Sequence, residues 1–492
     1  MAPSTKISLP RQQRRLLQPL QSPKHKRVTA VPPAGLLQEL FGDALPPKQR
    51  RASDETLAAR TRMRLGTDSI ATPIVSGTTH WFKSSEDLIA FKEGRRHSQY
   101  GRYSNPTVKV LEDKISALER AEATLVTSSG MNAIVATLLA LVPPGGHVVT
   151  TTDCYSEARA FISDRLSKMG IKSTFIDLDN IELLEDVLEK DDVTLFYADS
   201  PTNPLLKCVD IKLVAELCHR KGTLVCIDST LASPINQKPL TLGADIVLHS
   251  ATKYMAGHHD VIAGCVSGSE VLISKIRAWH HDLGGAISPN AAYMIIRGLK
   301  TMALRVEAHN RTALEMACLL EGHPKIERVH YPGLESNPWH QIAKRQMTGY
   351  GGVVSFEVKS DLRGTMRFVD ALEIPLIATS LGGCESLVQQ PAEKPLAALH
   401  RRISTSTSTT TSQAAAARGG LNNSSSFFGA MFVVDDMLRE GAEPSSRLLG
   451  RAEDDLVFDL VWMARRYRLS KMVASPDTKN LLVLEYDAYI WH

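Results

Sequence analysis

The stretch "ADIVLHSATKY", from Ala244 to Tyr254, joins a strand pattern to a single lysine. Most of its first six residues suit a buried strand, and a small, hydroxyl-rich turn follows. The turn presents Lys253, with Ser250 and Thr252 beside it. A lone lysine after a strand is usually a surface residue, so the surroundings of this lysine in the fold decide whether it is functional.

Similar short runs, rich in β-branched residues, occur on both sides of this stretch and alternate with helical segments. Strand-like runs include "HVVTTT", "TLFYADS", "TLVCIDS" and "VIAGCVSG", and "IKLVAELCHRKG" is one of the helical segments between them. This alternation predicts an α/β fold with a mostly parallel sheet covered by helices. A second, smaller α/β unit is predicted further on, where "TALEMACLLEGHP" has helical character and "GGVVSFEV" has strand character.

Length and composition limit the class of protein. A chain of 492 residues is too long for one ordinary core, so two or three domains are expected. The net charge of +4 gives no argument for nucleic acid, and the longest apolar run, "AIVATLLALV", is about half of a membrane span. The seven cysteines are scattered without a CxxC pair, which predicts reduced thiols and neither a disulfide framework nor a metal site.

The beginning of the chain has the composition of a targeting segment. Its first 38 residues contain seven Lys or Arg and no acidic residue. Without an apolar core such a segment is not a secretory signal, and it fits an organelle transit peptide. We therefore expect a disordered basic leader over residues 1–63 that directs the chain to an organelle, which the resemblance described below implies to be the chloroplast. The alternative is a basic tail without an address on a cytoplasmic protein.

Polar residues follow several of the predicted strands. They include Asp228 after "TLVCI", Lys253 after "ADIVLHSAT", Ser129 and Gly130 after "TLVTS", and Tyr155 after "HVVTTTDC". The carboxyl ends of parallel strands meet at one edge of a sheet, where ligands bind. An amine, a carboxylate, a helix N-terminus and an aromatic ring are the groups that pyridoxal phosphate (PLP) needs.

Each of these residues also has an ordinary structural interpretation. Asp228 could cap a turn, Ser129 could be only a helix N-cap, and Tyr155 could be a packing residue. "SATK" also matches the S-x-x-K motif of serine β-lactamases, with Ser250 as the nucleophile, but the accompanying S-D-N and K-T-G motifs do not occur in this sequence. The coincidence of all four groups at successive strand ends favours PLP.

A series of motifs between Gly66 and Pro391 resembles the Cys/Met-metabolism family of PLP enzymes, the group of the γ-synthases and γ-lyases. The motifs are "QYGRYSNPT", "SSGMNAI", "DSPTNP", "IDSTLASP", "HSATKY" and "SLGGCESL". Other blocks, such as "LGGAISPNAAYMIIRGLKT", look most like the plant members. The resemblance implies a fold-type-I transferase with a seven-stranded sheet, helices on both faces and a smaller C-terminal domain.

The resemblance also implies roles for individual residues. Lys253 would attach the coenzyme and shuttle protons, Asp228 would bind its pyridine nitrogen, and Tyr155 would stack on its ring and help to deprotonate the incoming amine. Further coenzyme contacts are implied for Ser129, Gly130, Met131, Ser250, Thr252, Tyr100, Arg102 and Asn203. Tyr100 and Arg102 match a pair that family members insert into a neighbouring subunit, which implies a homodimer that pairs into a homotetramer. Substrate contacts are implied for Ser380, Glu385 and Asn203.

The implied activity is a γ-replacement in methionine biosynthesis with small amino-acid substrates. An activated homoserine ester, O-phosphohomoserine for a plant enzyme, would react with cysteine to give cystathionine. Glu385 in "GGCES", and Glu157 two positions after Tyr155, favour this reaction over the alternative, a cystathionine or methionine γ-lyase.

After Pro391 the resemblance ends. Relatives continue to a hydrophobic–Arg–x–Ser–x–Gly–x–Glu block whose Arg holds the substrate carboxylate as a bidentate pair. Here the low-complexity tract of residues 403–426 intervenes, and only Arg468 in "YRLS" echoes the block. We interpret the tail as an artefact of the gene model. A chain that binds PLP but has impaired catalysis is a further alternative to the implied activity.

These patterns divide the chain into five parts. They are a basic leader (1–63), an arm that contacts the neighbouring subunit (64–102), a PLP-binding large domain (103–300), a truncated small domain (301–391) and an atypical tail (392–492).

Overall fold

The computed structural model of the chain describes residues 53–59, 69–93, 100–390 and 429–433. Most of the predicted leader, the tract of residues 403–426 and Arg468 lie outside the described residues. Within the described ranges, no helix combines the length and the apolar character that crossing a bilayer requires. All seven cysteines are free thiols, as the sequence predicts, and five of them are buried.

A seven-stranded sheet forms the centre of the larger part of the fold. Its strands are β1 (Ala123–Thr127), β2 (His147–Thr151), β3 (Lys172–Ile176), β4 (Leu195–Asp199), β5 (Leu224–Asp228), β6 (Ile246–His249) and β7 (Gly264–Gly268). Their order across the sheet is β1-β7-β6-β5-β4-β2-β3. Only β7 among them runs antiparallel to its neighbours, so the mostly parallel sheet predicted from the sequence is confirmed. The other six strands end at one edge of the sheet, where a ligand site is expected.

Helices cover both faces of this sheet. In chain order, the α-helices that precede the second sheet are α1 (Asp54–Ala59), α2 (Ser85–Lys92), α3 (Pro106–Glu119), α4 (Gly130–Leu141), α5 (Ser156–Ala160), α6 (Glu182–Lys190), α7 (Ile211–His219), α8 (Ser233–Asn236), α9 (Glu270–Leu283) and α10 (Pro289–Glu321). A π-helical segment, Phe161–Leu166, follows α5. Leu138 of α4 and Ile273 of α9 belong to the core on one face, whereas Leu184 of α6 and Val214 of α7 belong to the core on the other.

Helix α10 is 33 residues long and packs against both α3 and the strands that follow it. At Gly298 the helix comes so close to the segment after Lys253 that an added Cβ would lie 2.4 Å from the Ala256 carbonyl oxygen. The domain boundary predicted between residues 300 and 301 falls inside this helix. The helical pattern runs through that point without a break, so the two parts of the fold share one rigid element.

A second sheet of five strands follows α10. Its strands are β8 (Ile326–His330), β9 (Val353–Val358), β10 (Leu376–Ile377), β11 (Leu387–Gln389) and β12 (Gly429–Val433), accompanied by α11 (His340–Gln346) and α12 (Leu362–Asp370). The order is β10-β11-β12-β9-β8, and β12 is antiparallel to both of its neighbours. The sequence prediction ended this unit at residue 391, whereas a strand from the predicted tail lies within the sheet. A ladder needs only backbone N–H and C=O groups, so a foreign sequence can supply it.

Helix α1 lies inside the segment of residues 1–63 that the sequence predicts to be disordered. Lys238 forms an ion pair with Asp54 at 2.9 Å, and Lys114 donates to the Ala58 carbonyl oxygen at 2.9 Å. Ala58 itself is buried in the core. Packed structure is therefore already present at this helix, before the boundary predicted at residue 63.

Candidate active site

Lys253 lies in the turn after β6. Its Nζ donates to Ser380 Oγ at 3.1 Å, and its backbone N–H donates to the Ser250 carbonyl oxygen at 3.1 Å. Burial lowers the pKa of the Lys253 ammonium group. A lowered pKa increases the fraction of neutral amine, which is the form that attacks a carbonyl carbon.

Asp228 ends β5, the strand next to β6. Thr230 donates to its Oδ1 twice, from the hydroxyl at 2.5 Å and from the backbone N–H at 2.9 Å. Burial raises the pKa of the Asp228 carboxyl, and the two bonds from Thr230 oppose that rise. Within the described part of the chain Oδ2 has no hydrogen-bond partner. This oxygen can therefore accept from a protonated ring nitrogen.

The N-terminus of helix α4 faces Ser250. Ser129 caps this helix by accepting from the Asn132 N–H at 3.1 Å. The amides of Gly130 and Met131 have no acceptor among the described residues. A Cβ at Gly130 would lie 2.9 Å from Ser250 Cβ, so glycine permits this close approach. Free amides at a helix N-terminus, next to a hydroxyl, form a site for a phosphate-sized anion.

Ser250 and Thr252 use their polar groups differently. The Ser250 N–H donates to Thr230 Oγ1 at 2.8 Å, which connects the anion site to Asp228. The Thr252 hydroxyl donates to the Ala263 carbonyl oxygen and accepts from the Ala263 N–H, both at 3.0 Å. Thr252 therefore fixes the turn, while the Ser250 hydroxyl has no hydrogen-bond partner in the described ranges.

Tyr155 stands immediately before α5, and its side chain is 41% exposed. Its backbone N–H donates to Asp199 Oδ2 at 2.9 Å, which ties it to the end of β4. Partial burial, followed by the charges of Glu157 and Asp199, raises the pKa of the Tyr155 phenol. The phenol is therefore neutral at pH 7, and the exposed ring can stack on a planar ligand.

The loop from Ser380 to Glu385 lies directly on the segment that follows Lys253. Gly382 has φ +80°, and a Cβ there would lie 3.2 Å from Lys253 Cα. Beyond it, Glu385 Oε2 lies 3.5 Å from His259 Nε2, with the Glu385 side chain 54% exposed. The loop therefore brings a hydroxyl to the lysine and places an exposed carboxylate beside His259.

Among the described residues of the single chain, neither Tyr100 nor Arg102 forms a hydrogen bond with Lys253. Arg102 donates to the His281 carbonyl oxygen at 2.6 Å and to the Tyr103 hydroxyl at 2.8 Å. Tyr100 is 42% exposed. Asn203 lies in the loop after β4, at the strand-end edge of the large sheet.

Three residues near this site were missed by the sequence analysis. Thr230 links Asp228 to Ser250, and Asp199 holds Tyr155. Lys207 forms an ion pair at 3.1 Å with Asp153, two residues before Tyr155. Asp199 and Thr230 follow strand patterns in "FYADS" and "CIDST", so a search for every polar residue at a strand end would have found them.

One chain of hydrogen bonds joins the three chemical groups of the site. It runs from Asp228 through Thr230 to Ser250, whose carbonyl oxygen accepts from the backbone N–H of Lys253. An amine of lowered pKa, a carboxylate oxygen and an anion site therefore occupy one edge of the large sheet. This set can hold a planar, phosphorylated aldehyde.

The chain is similar to known proteins over most of its described length. The family described as "Cys/Met metabolism PLP-dependent enzyme" matches residues 55–412. Cystathionine gamma-synthase 1, chloroplastic, from Nicotiana tabacum is 60% identical over 345 residues, which cover 69% of this chain and 64% of that protein. The Arabidopsis thaliana protein of the same name is 58% identical over 346 residues, which cover 69% of this chain and 62% of that protein. The chain therefore spans less than two thirds of the length of these two relatives.

A solved structure and a second family extend this comparison. The crystal structure of cystathionine gamma synthase from Xanthomonas oryzae pv. oryzae in complex with aminoacrylate and cysteine has a TM-score of 0.70 and 31% identity. It covers 83% of this chain and 97% of that chain. A different family, described as "Dirigent-like protein", matches residues 399–460, a range that contains β12. The break in the pattern after Pro391 is thus followed by similarity to another kind of protein.

Proposed function

This chain belongs to the Cys/Met metabolism family of PLP-dependent enzymes, and from that premise we propose that it joins O-phosphohomoserine to cysteine to give cystathionine. The observation that carries the proposal is the hydrogen bond from Lys253 Nζ to Ser380 Oγ, at the edge of the sheet that also bears Asp228. The names of the plant relatives support the choice of reaction.

Pyridoxal phosphate fits the groups of this site. Lys253 would attach its aldehyde carbon, Asp228 Oδ2 would accept from its ring nitrogen, and Tyr155 would stack on its ring. Its phosphate would be held at the N-terminus of α4 and by neighbouring groups, namely Ser129, Gly130, Met131, Ser250 and Thr252. When bound, the coenzyme supplies an electron sink that stabilises negative charge on the substrate carbons.

The proton transfers are assigned to Lys253. Its neutral amine would move protons at the substrate Cα and Cβ one at a time, because an amine can carry only one extra proton, and phosphate would leave from Cγ after Cβ has lost its proton. The sulfur of cysteine would then add to Cγ, the thiol proton would leave with the phosphate product, and Lys253 would restore the protons at Cβ and Cα. Ser380, 3.1 Å away, orients the amine during these steps.

The substrate is assigned to the loop opposite Lys253. Ser380 and Asn203 would contact the substrate carboxylate, and Glu385 would lie near the γ-position. The Glu385 side chain is 54% exposed, so its carboxylate is accessible to a ligand.

Assembly and location follow the same reasoning. Tyr100 and Arg102 would reach the phosphate site of a neighbouring subunit in a homodimer that pairs into a homotetramer. The leader of residues 1–63 would direct the chain to the chloroplast, which the basic, acid-free composition of its first 38 residues and the names of the plant relatives support. The arm (64–102), large domain (103–300), small domain (301–391) and tail (392–492) remain the proposed divisions, with β12 added to the small domain.

A second function, PLP binding with impaired catalysis, has a specific observation in its favour. Strand β12, "GAMFV", contains no cationic residue, although it lies between β9 and β11. The family block with the carboxylate-binding Arg is absent from the sequence before it. A chain without that cation would bind the coenzyme and hold amino acids weakly.

The test uses the full-length chain, its Lys253→Ala variant and, as a matched control, Lys212→Ala, which changes an exposed lysine of α7. We expect a visible absorbance band with PLP in the wild type and the control and none in Lys253→Ala. We expect cystathionine from O-phosphohomoserine and cysteine, measured by mass spectrometry. A band without turnover would select the impaired relative, and release of α-ketobutyrate from cystathionine or methionine would select a lyase. A band that persists in Lys253→Ala would refute the site.

A further inference from the structure

A second carboxyl group lies beside Asp228. Strands β4 and β5 are parallel neighbours, and Asp199 is the residue in register with Asp228. Side chains of residues in register point to the same face of a sheet, so the two carboxyl groups are neighbours. Asp199 is only 7% exposed. Burial and the neighbouring Asp228 raise the pKa of Asp199 well above its usual range.

Both oxygens of Asp199 have partners. Oδ2 accepts from the Tyr155 N–H at 2.9 Å, and Oδ1 accepts from the Tyr197 hydroxyl at 3.1 Å. Tyr197 is fully buried in the core, so it holds Asp199 in one position. Asp199 thus connects the rigid interior of the sheet to the backbone of a residue 44 positions earlier.

Tyr155 has little else to fix it. Its side chain makes no capping hydrogen bond at the start of α5, and 41% of it is exposed. Helix α5 begins directly after Tyr155 and continues without a break into the π-helical segment Phe161–Leu166. The bond from Tyr155 N–H to a buried carboxyl group therefore sets where the chain enters this helix and where the ring stands.

We propose that Asp199 is a positioning residue, which holds the Tyr155 ring in the orientation that stacks on the coenzyme. The inference rests on the proposed function for the place of the coenzyme and deepens its assignment of Tyr155. Holding the Tyr155 N–H in place requires a hydrogen-bond acceptor at this position but no charge, so an uncharged acceptor can also do it. An asparagine at this position can accept from the Tyr155 N–H through its oxygen and donate to the Tyr197 oxygen through its amide nitrogen.

The experiment measures PLP binding to the apo form of the full chain, by titration, and the visible circular dichroism of the bound coenzyme. We expect Asp199→Ala to weaken PLP binding about tenfold and to reduce the dichroism band, because a ring held loosely no longer fixes the coenzyme in one asymmetric setting. We expect Asp199→Asn to stay within about threefold of the wild type, since it keeps the acceptor.

A double-mutant cycle separates positioning from general destabilisation. If Asp199 acts through the ring, Asp199→Ala has no further effect on PLP affinity in a Tyr155→Ala background. If Asp199→Ala fails to fold, Asp199→Leu, of similar size and without an acceptor, replaces it in the cycle.

Three results would overturn the inference. They are unchanged affinity and dichroism in Asp199→Ala, equal losses in Asp199→Ala and Asp199→Asn, and full additivity in the cycle. A wild type that binds PLP but forms no cystathionine would refute the proposed reaction and leave these binding measurements interpretable on their own.

Discussion

Lys253 Nζ lies 3.1 Å from Ser380 Oγ, although the two residues are 127 positions apart in the chain. Lys253 follows a strand of the large sheet, and Ser380 precedes a strand of the second sheet. The amine is thus oriented by a part of the fold other than the one that carries it. The relative placement of the two sheets therefore decides whether this amine points correctly.

Replacing Ser380 with alanine tests that contact. Removing the acceptor frees the amine, and the loss of one such hydrogen bond is worth about 1 kcal/mol, or about a fivefold fall in kcat/KM. Steady-state assays of cystathionine formation give the number. Thr379→Ala, at the exposed neighbouring position, should leave kcat/KM unchanged. Equal values for both variants would show that Ser380 does not orient the lysine.

Replacing Gly130 with alanine tests the anion site. The added Cβ would lie 2.9 Å from Ser250 Cβ and 3.1 Å from its Oγ, so the N-terminus of α4 and Ser250 would have to move apart. Overpacking of this kind costs about 1–3 kcal/mol, so we expect the dissociation constant of PLP to rise about tenfold or more. Gly77→Ala is the matched control, because its nearest neighbour would be 4.0 Å away. Unaltered PLP affinity in Gly130→Ala would show that the phosphate of PLP does not bind at the N-terminus of α4.

The buried pair of Glu119 and His249 beneath the site predicts a strong effect on stability. Glu119 Oε1 lies 2.6 Å from His249 Nε2, and both side chains are almost fully buried. Glu119→Ala leaves the imidazole without its partner and should lower the free energy of unfolding by about 3 kcal/mol, whereas Glu119→Gln keeps an acceptor and should cost less. Denaturant titrations measure both. Glu335→Ala, at an exposed site, serves as the control, and a loss in Glu119→Ala no greater than in this control would contradict the prediction.

Lys114, which holds α1, predicts a particular dependence of stability on pH. Burial, with a smaller contribution from Lys300, lowers the pKa of Lys114 to about 8. In the unfolded chain the value is about 10.4, so between these pH values the unfolded state binds more protons and stability rises with pH. Relative to Lys114→Met, the wild type should gain about 2 kcal/mol from pH 7 to about 9.5. Denaturant titrations along this range would refute the assignment if the difference between the two proteins stayed constant.

The strand from the tail predicts a local effect on the loop of the site. In a chain that ends at Gln390, β11 loses the partner with which Leu387, Val388 and Gln389 are in register. We expect faster hydrogen exchange of the backbone amides of residues 376–389, because β11 loses its ladder bonds to β12 and β10 depends on β11 for its pairing. Peptides from β5 provide the internal control. Equal protection of residues 376–389 in both chains would show that β12 does not support this loop.

The large sheet could be predicted because its strands are buried on both faces and are therefore short runs rich in apolar and β-branched residues. β2, β4 and β7 are buried along their whole length. Lys253 and Asp228 could be found because each follows such a run. The sequence could not show that one oxygen of Asp228 and the backbone amides of Gly130 and Met131 lack hydrogen-bond partners. That depends on which groups the folded chain places beside them.

Other features depend on contacts between distant parts of the chain. Asp199 acts through a backbone N–H 44 residues away, and such a bond leaves no periodic pattern. Helix α1 owes its place to Lys114 and Lys238, which are far from it in sequence. The strand β12 has no family pattern of its own in this sheet, so only its pairing with β9 and β11 reveals it.

Strand β12 shows that one position in a sheet can be filled by a segment with another family's sequence pattern. The ladder hydrogen bonds use only backbone groups, so exchanging such a strand preserves the pairing of its neighbours. A substrate contact made by a side chain has no such backbone substitute. Exchange of a terminal strand is therefore a route by which an enzyme family could vary its substrate contacts without rebuilding its fold.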